Sequence, residues 1–222
     1  MSITSNIAAI REHLPANVKL VCVSKFHPVG MMEEAYRSGE RLFGESKVQE
    51  MCGKSEVLPK DIEWHFIGHL QTNKIKYIVP FVTLIHGVDS YKLLAEIDKQ
   101  AAKHERKVNC LLQVHIASEE TKFGFSGNEL LTMLDAGEWS QLKSVNIAGL
   151  MGMATLTDDA SLIRDEFRGL KQLFDRAKAD YFSSEPAFRE LSMGMSDDYM
   201  MAVEEGSTMV RIGSSIFGHR NY

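Results

Sequence analysis

The sequence predicts an α/β protein, a single (β/α)8 TIM barrel with an extra helix ahead of its first strand. Three observations carry that expectation. Short apolar runs alternate with amphipathic stretches along the whole chain, eight of the runs have the length of buried strands, and small or polar residues gather where those runs end. At 222 residues the chain is long enough for one such barrel. A doubly wound open sheet is the architectural alternative.

The first periodic stretch, residues 3 to 14, reads as a helix that completes the outer ring from the N-terminal side. Strands are expected at 19 to 25, 41 to 44, 62 to 68, 82 to 89, 108 to 116, 146 to 153, 189 to 193 and 209 to 213. Between them, helices are expected near 30 to 39, 46 to 57, 72 to 79, 91 to 105, 127 to 136, 158 to 180 and 197 to 205. Punctuation supports the division: Ser90 and Ser126 stand where N-caps belong, and Gly39 follows the second helix. No low-complexity linker or solenoid-length repeat interrupts the pattern, so residues 1 to 222 are expected to form one domain.

Bulk properties narrow the function. A net charge of −5 with interspersed signs offers no basic stripe for a phosphate backbone, so a nucleic-acid partner is not expected. No stretch reaches the roughly 18 apolar residues of a membrane helix, and Met1 to Ile10 lacks the pattern of a signal peptide. A cytoplasmic protein without a membrane partner is the expectation. Cys22, Cys52 and Cys110 have no metal-ligand spacing and read as small hydrophobes. Met151, Met153, Met193, Met195, Met200 and Met201 either fill the core or line a pocket.

In such barrels chemistry sits at the C-terminal ends of the strands. There the sequence places Ser24-Lys25, Gly44-Glu45, Gly68-His69, Asp89, the loop Lys122-Phe123-Gly124, Ala154-Thr155, Gly194-Met195-Ser196 and Gly213-Ser214. Lys25 closes the apolar run from Val18, and a lysine there is costly unless its amine serves as a nucleophile or its ammonium reaches water from the rim. Two late runs end in glycine and serine, which either cradle an anion or form ordinary turns, with Ser196 as an N-cap. A lysine facing a phosphate site suggests a phosphorylated aldehyde, as cofactor or as sugar substrate. Arg211 stands two residues before Gly213 and shares its strand face, so it lies beside a bound ring or pairs at the rim with Glu204 or Glu205. A guanidinium at a pyridine nitrogen would disfavour protonation of that nitrogen and weaken the ring as an electron sink. His65, His69, His86 and His115 lack the helical context of a zinc-protease motif, and hydrogen bonding in the core or at the rim is expected of them rather than a metal site.

An ordered set of motifs spans the chain: Val23-Ser24-Lys25, Phe43-Gly44-Glu45 with Val48-Gln49-Glu50, Trp64-His65-Phe66-Ile67-Gly68 with Leu70-Gln71 and Asn73-Lys74, Gly149-Leu150-Met151, Ser192-Met193-Gly194-Met195-Ser196-Asp197, and Val210-Arg211-Ile212-Gly213 with Ile216-Phe217-Gly218. In these the sequence resembles the pyridoxal-phosphate homeostasis protein family, single-barrel relatives of the alanine racemase N-terminal domain. The resemblance implies pyridoxal 5'-phosphate (PLP) as cofactor. By it Lys25 would hold PLP as a Schiff base, Ser196, Gly213 and Ser214 would take the phosphate, Arg211 would face the pyridine nitrogen, and Ser192 would assist. Two positions depart from the family pattern: Ser46 stands where Asn is common after Phe-Gly-Glu, and Ser214 where Thr is frequent. Serine at 214 keeps the hydroxyl, whereas serine at 46 loses an amide donor.

The function implied is reversible binding of PLP in vitamin B6 homeostasis, with no appreciable turnover and with PLP-dependent apoenzymes as candidate recipients. Racemases that share this barrel add a β-domain carrying a second acid/base, whereas this sequence ends at Tyr222. A missing acid or base typically removes about 10² to 10⁴ in rate. The alternatives are a PLP-dependent racemase or lyase and an imine-forming phosphosugar aldolase. Lys122 is either a second cofactor-handling lysine or a rim charge.

Overall fold

In the computed structural model, which describes residues 2–119 and 123–218, eight parallel strands close into a barrel in sequence order. They are β1 (Lys19–Val23), β2 (Leu42–Glu45), β3 (Glu63–Phe66), β4 (Leu84–Val88), β5 (Val108–Gln113), β6 (Val145–Met151), β7 (Glu190–Ser192) and β8 (Met209–Ile212). The last strand pairs with the first, Val21 opposite Arg211 and Cys22 opposite Ile212. The expected barrel therefore forms, and the open sheet does not.

Helices α1 (Ile3–His13), α2 (Val29–Arg37), α3 (Val48–Val57), α4 (Ile75–Ile78), α5 (Tyr91–Lys103), α6 (Gly127–Ala136), α7 (Ala160–Asp180), α8 (Tyr199–Glu204) and α9 (Ser214–Phe217) pack around the strands. The starts of α5 and α6 follow the capping signals. The Ser90 hydroxyl accepts from the Leu93 N–H, and Ser126 forms a full capping box with Glu129. Helix α1 buries Ile3, Ile7 and Ile10 and packs on α2 and α9, and Asn6 Nδ2 donates to the Ile216 carbonyl at 2.9 Å. It completes the ring from the N-terminal side, as its apolar spacing implied.

Several boundaries differ from the sequence reading, and local hydrogen bonds explain them. The first strand stops at Val23 rather than at residue 25, because Ser24 turns its hydroxyl to Glu45 and its carbonyl to Lys54. The stretch 72 to 79 divides into a 3-10 turn, Thr72–Lys74, and the short α4, with Pro80 soon after. Helix α8 starts at Tyr199, later than residue 197, because the Asp198 carboxylate first takes the Met195 N–H at 2.5 Å. The short α9 and a 3-10 turn at Glu138–Gln141 carry too little periodicity to be read in advance.

Apolar packing falls into two bodies. One fills the space between strands and helices; the other is a small layer inside the barrel, formed by Val21, Leu84, Leu111, Ala148, Met151 and Met209. Polar residues lie beyond both faces of that inner layer. Toward the N-terminal ends of the strands, Lys19 pairs with Glu190 at 2.5 Å. Toward the C-terminal ends, strand alternation places Gln113, Ser192 and Arg211 on the same inner face as Leu111, Glu190 and Met209. Cys22 and Cys110 are buried and Cys52 half-buried, as expected of small hydrophobes.

If α1 is part of the cooperative unit, Ile7→Ala should lower unfolding stability by about 3 kcal/mol, measured by urea titration, through loss of burial and the cavity left behind. An unchanged midpoint would show that the helix does not dock.

Candidate functional site

Three adjacent strands, β7, β8 and β1, deliver most of the residues singled out in the sequence to one corner of the C-terminal mouth. Lys25 follows β1 by two residues and is half-buried. A side chain added at Gly44 would meet both Val21 and Val23, so these valines share the inward face, and Lys25 begins the turn that follows them at the mouth. Its neighbour Ser24 is fully buried and faces the opposite way. Ser24 Oγ donates to Glu45 Oε1 at 2.6 Å, while Lys54 Nζ donates to the Ser24 carbonyl at 2.8 Å. Glu45, expected at the mouth, instead stands behind the strand against α3, because Gly44 occupies the inward position. Burial pushes its carboxyl above the ordinary range, and Lys54 opposes that shift.

Arg211 lies inside the barrel at 4% exposure. Its Nη1 donates to the Ser192 carbonyl at 2.8 Å and to Ser192 Oγ at 2.5 Å, and Nη2 donates to the Gly152 carbonyl at 3.0 Å. The rim pairing is overturned: Glu204 and Glu205 are taken by Arg164 and Arg168. Burial lowers the Arg211 pKa to about 10, with Asp198 opposing, so the guanidinium remains charged near neutral pH. From Ser192 the polar contacts continue inward, Oγ to His86 Nδ1 at 3.1 Å and His86 Nε2 to His65 Nδ1 at 3.0 Å. The two histidines are thus core hydrogen-bonding groups. His69 instead pairs with Asp89 at 3.2 Å and stacks on Phe123 at the rim. Among the described residues no group of three or more His, Cys, Asp or Glu could hold a metal ion.

Ser196 and Gly213 meet directly, the Gly213 N–H donating to Ser196 Oγ at 3.3 Å. Ser196 is therefore not the N-cap of α8. Gly194 holds φ +94°, and a Cβ there would lie 2.6 Å from that of Ala202, so only glycine lets the chain turn into α8 at this point. A Cβ at Gly213 would come within 3.1 Å of the Val23 carbonyl, so glycine allows the end of β8 to lie close against the end of β1. Ser214 opens α9 and is exposed. Beside this corner lies a cavity of about 440 Å³ lined by Met153, Ile163, Met195, Met201, Asp158 and Asp197. The methionines accordingly divide: Met151 and Met193 fill the core, while Met153, Met195 and Met201 line the cavity.

A primary amine, a buried cation and a glycine-serine turn on neighbouring strands can accept a molecule that carries a carbonyl, a hydrogen-bond acceptor and an anionic group. The donor set suits an aromatic nitrogen beside Arg211 and a phosphate at the turn. Lys122 lies outside the described residues. Sequence reasoning left Lys54 unmentioned and gave Glu50 no role. Their i,i+4 spacing was visible, but the inward aim of Lys54 was not.

The buried histidines make stability depend on pH. Burial pushes His65 down to about 3, and burial with the charges of His65 and Arg211 pushes His86 well below the ordinary histidine range. The unfolded chain therefore binds protons that the folded one refuses. Their contribution is complete above the unfolded value of about 6.5 and is lost as pH falls below it, for His65 down to about 3, at about 1.4 kcal/mol per pH unit for each ring. Urea midpoints measured between about pH 7.5 and 5 should fall with acidification, and less steeply in His86→Asn. Equal slopes in the two proteins would contradict a buried, neutral His86.

Known proteins resemble this chain along nearly its whole length. The family model for the alanine racemase N-terminal domain matches residues 1–221. The pyridoxal phosphate homeostasis protein of Aquifex aeolicus is 40% identical over 205 residues, covering 92% of this chain and 88% of that protein. Its counterpart in Synechocystis sp. is 39% identical over 209 residues, covering 93% and 94%. PipY of Synechococcus elongatus, solved with PLP bound, superposes with a TM-score of 0.87 at 36% identity, covering 98% of this chain and 100% of PipY. Among the described residues no helix is long and apolar enough to cross a membrane. The chain belongs to the alanine racemase N-terminal domain family, and within it to the pyridoxal phosphate homeostasis proteins.

Proposed function

We propose that this protein is a reversible PLP carrier of the cytoplasm, a single cofactor-binding barrel domain over residues 1–222 that serves vitamin B6 homeostasis without appreciable turnover. The observation that carries this reading is the buried Arg211 guanidinium, fixed by Ser192 and Gly152 on the strand that neighbours that of Lys25. Lys25 holds PLP as a Schiff base. Ser196, Gly213 and Ser214 receive the phosphate, and Ser192 keeps the guanidinium aimed at the ring.

PLP, when bound, supplies an aldehyde and a pyridine ring able to stabilise negative charge. The residues around it limit that chemistry. Arg211 stays charged near neutral pH and can only donate, so it disfavours a proton on the ring nitrogen and weakens the electron sink. Burial keeps His86 and His65 neutral, His86 contacting Ser192 and His65 contacting His86, so they do not act as an acid/base pair at the mouth. Binding without turnover follows from this arrangement. The PLP-bound relative PipY and the homeostasis proteins support the same reading. PLP-dependent apoenzymes are the recipients that a carrier of this kind would supply.

Lys25→Ala should abolish the visible Schiff-base absorption of the PLP-loaded protein. Pyridoxal, lacking the phosphate, should bind at least about a hundredfold more weakly, since hydrogen bonds to a charged group contribute about 1.5–3 kcal/mol each. Incubating the loaded protein with a panel of amino acids should give no sustained racemisation or keto-acid release. Turnover that disappears in Lys25→Ala would instead identify a racemase or lyase, and equal affinities for PLP and pyridoxal would remove the phosphate site.

A further inference from the structure

Behind the first strand, on the side away from the barrel interior, a charged group brackets Lys25. Lys54 is 7% exposed, and its ammonium makes three hydrogen bonds: to the Ser24 carbonyl at 2.8 Å, Glu45 Oε1 at 2.8 Å and Glu50 Oε1 at 2.7 Å. The same two carboxylates reach the residues on either side of Lys25. Glu45 Oε1 accepts from the Ser24 hydroxyl at 2.6 Å, and Glu50 Oε1 accepts from the Phe26 N–H at 2.6 Å. The residue before Lys25 and the residue after it are thus both tied to Lys54 and its partners.

Stability alone does not explain this group. Withdrawing three charges from water costs more than their attraction commonly returns, and well-packed apolar side chains would serve a barrel wall at least as well. Glu45 Oε2 is buried with no hydrogen-bond partner among the described residues. Phe26 adopts φ +68°, the left-handed region that a phenylalanine rarely enters, and its ring is 47% exposed, so burial of the ring does not offset the strain. The Glu50 carboxylate holds the Phe26 N–H in that conformation. A second bond, from the His27 N–H to the Ser24 carbonyl at 3.0 Å, closes the turn.

We propose that Lys54, Glu45 and Glu50 are positioning residues for Lys25: by pinning the Ser24 carbonyl and hydroxyl and the Phe26 N–H, they fix the direction in which the Lys25 side chain leaves the backbone. The inference rests on Lys25 being the residue that joins PLP. In that step the Lys25 nitrogen forms a double bond to the aldehyde carbon, and the carbonyl oxygen leaves as water with the two hydrogens of the neutral amine. Orientation matters because a four-carbon side chain on a free turn samples many rotamers, few of which bring the amine to the aldehyde. The clamp therefore favours the covalent bond without touching the ring or the phosphate.

The test compares PLP with pyridoxine 5'-phosphate, which keeps the ring and phosphate but carries an alcohol where PLP has its aldehyde. Both are titrated into the full chain as wild type, Glu50→Ala, Glu50→Gln and Lys54→Met, with Schiff-base absorption as one readout and displacement affinity as the other. Glu50→Ala and Lys54→Met should lower the ratio of Schiff base to bound free aldehyde by about tenfold while leaving pyridoxine phosphate affinity within about twofold. Glu50→Gln, which keeps an acceptor for the Phe26 N–H, should restore most of the ratio. An unchanged ratio in Glu50→Ala, or equal weakening of both ligands, would overturn the proposal. If Lys54→Met does not fold, the Glu50 pair still decides, since that side chain is 20% exposed and its removal leaves Lys54 paired with Glu45. A wild-type protein that binds both ligands without a Schiff-base band would defeat the Lys25 reading itself, a result separable from a clamp that has no effect.

Discussion

A guanidinium enclosed in a parallel barrel sets the terms for the residues around it. Arg211 has donors only, lies at 4% exposure and makes no ion pair within 4 Å among the described residues, so carbonyl and hydroxyl oxygens must satisfy it. The Ser192 and Gly152 carbonyls do so in part. Ser192 Oγ, once it accepts from Arg211, is satisfied when its own hydroxyl donates to His86 Nδ1. His86 Nε2 in turn contacts His65 Nδ1, and His65 also lines the cavity at the N-terminal end of the barrel, where Lys19 and Glu190 stand. Both rings must stay neutral for this order, and burial beside two cations keeps them so. Arg211, Ser192, His86 and His65 thus form one hydrogen-bonded run across the interior.

Three lysines of this part of the chain are treated in three ways, and the difference is chemical. Lys19 is half in water and pairs with Glu190 at the N-terminal end of the barrel. Lys54 is buried with every ammonium hydrogen matched to an oxygen, which ties the side chain into the wall behind the strand. Lys25 stands at the opposite end from Lys19, half-buried, two residues beyond the Val23 that packs against Gly213. Position on the barrel, rather than residue type, separates a structural cation from a candidate nucleophile.

Much of the fold was legible because alternating apolar segments can be counted, and strong caps such as Ser90 and Ser126 marked helix starts. Strand ends were not, because periodicity does not register the point at which the Ser24 hydroxyl and carbonyl turn to Glu45 and Lys54. Of the candidate site, the glycine-serine turns and Lys25 were visible as sequence punctuation, whereas Glu45 was misplaced at the mouth. Its outward aim follows from Gly44 facing inward, a matter of register that composition cannot supply. The His65–His86 contact likewise joins residues 21 apart on neighbouring strands and exists only once β3 and β4 are aligned. Arg211 had two sequence readings, and the pairing of Arg164 and Arg168 with Glu204 and Glu205 removes one of them.

The most direct test of the central claim, that the corner formed by β1, β7 and β8 holds PLP through Lys25, is chemical mapping of the loaded protein. Borohydride reduction would trap the cofactor on whichever amine carries it, and peptide mass spectrometry would identify the residue. The expected result is a single phosphopyridoxyl group on Lys25. Label found mainly on Lys122 or another lysine, or no label on a protein that nonetheless retains PLP, would contradict the claim.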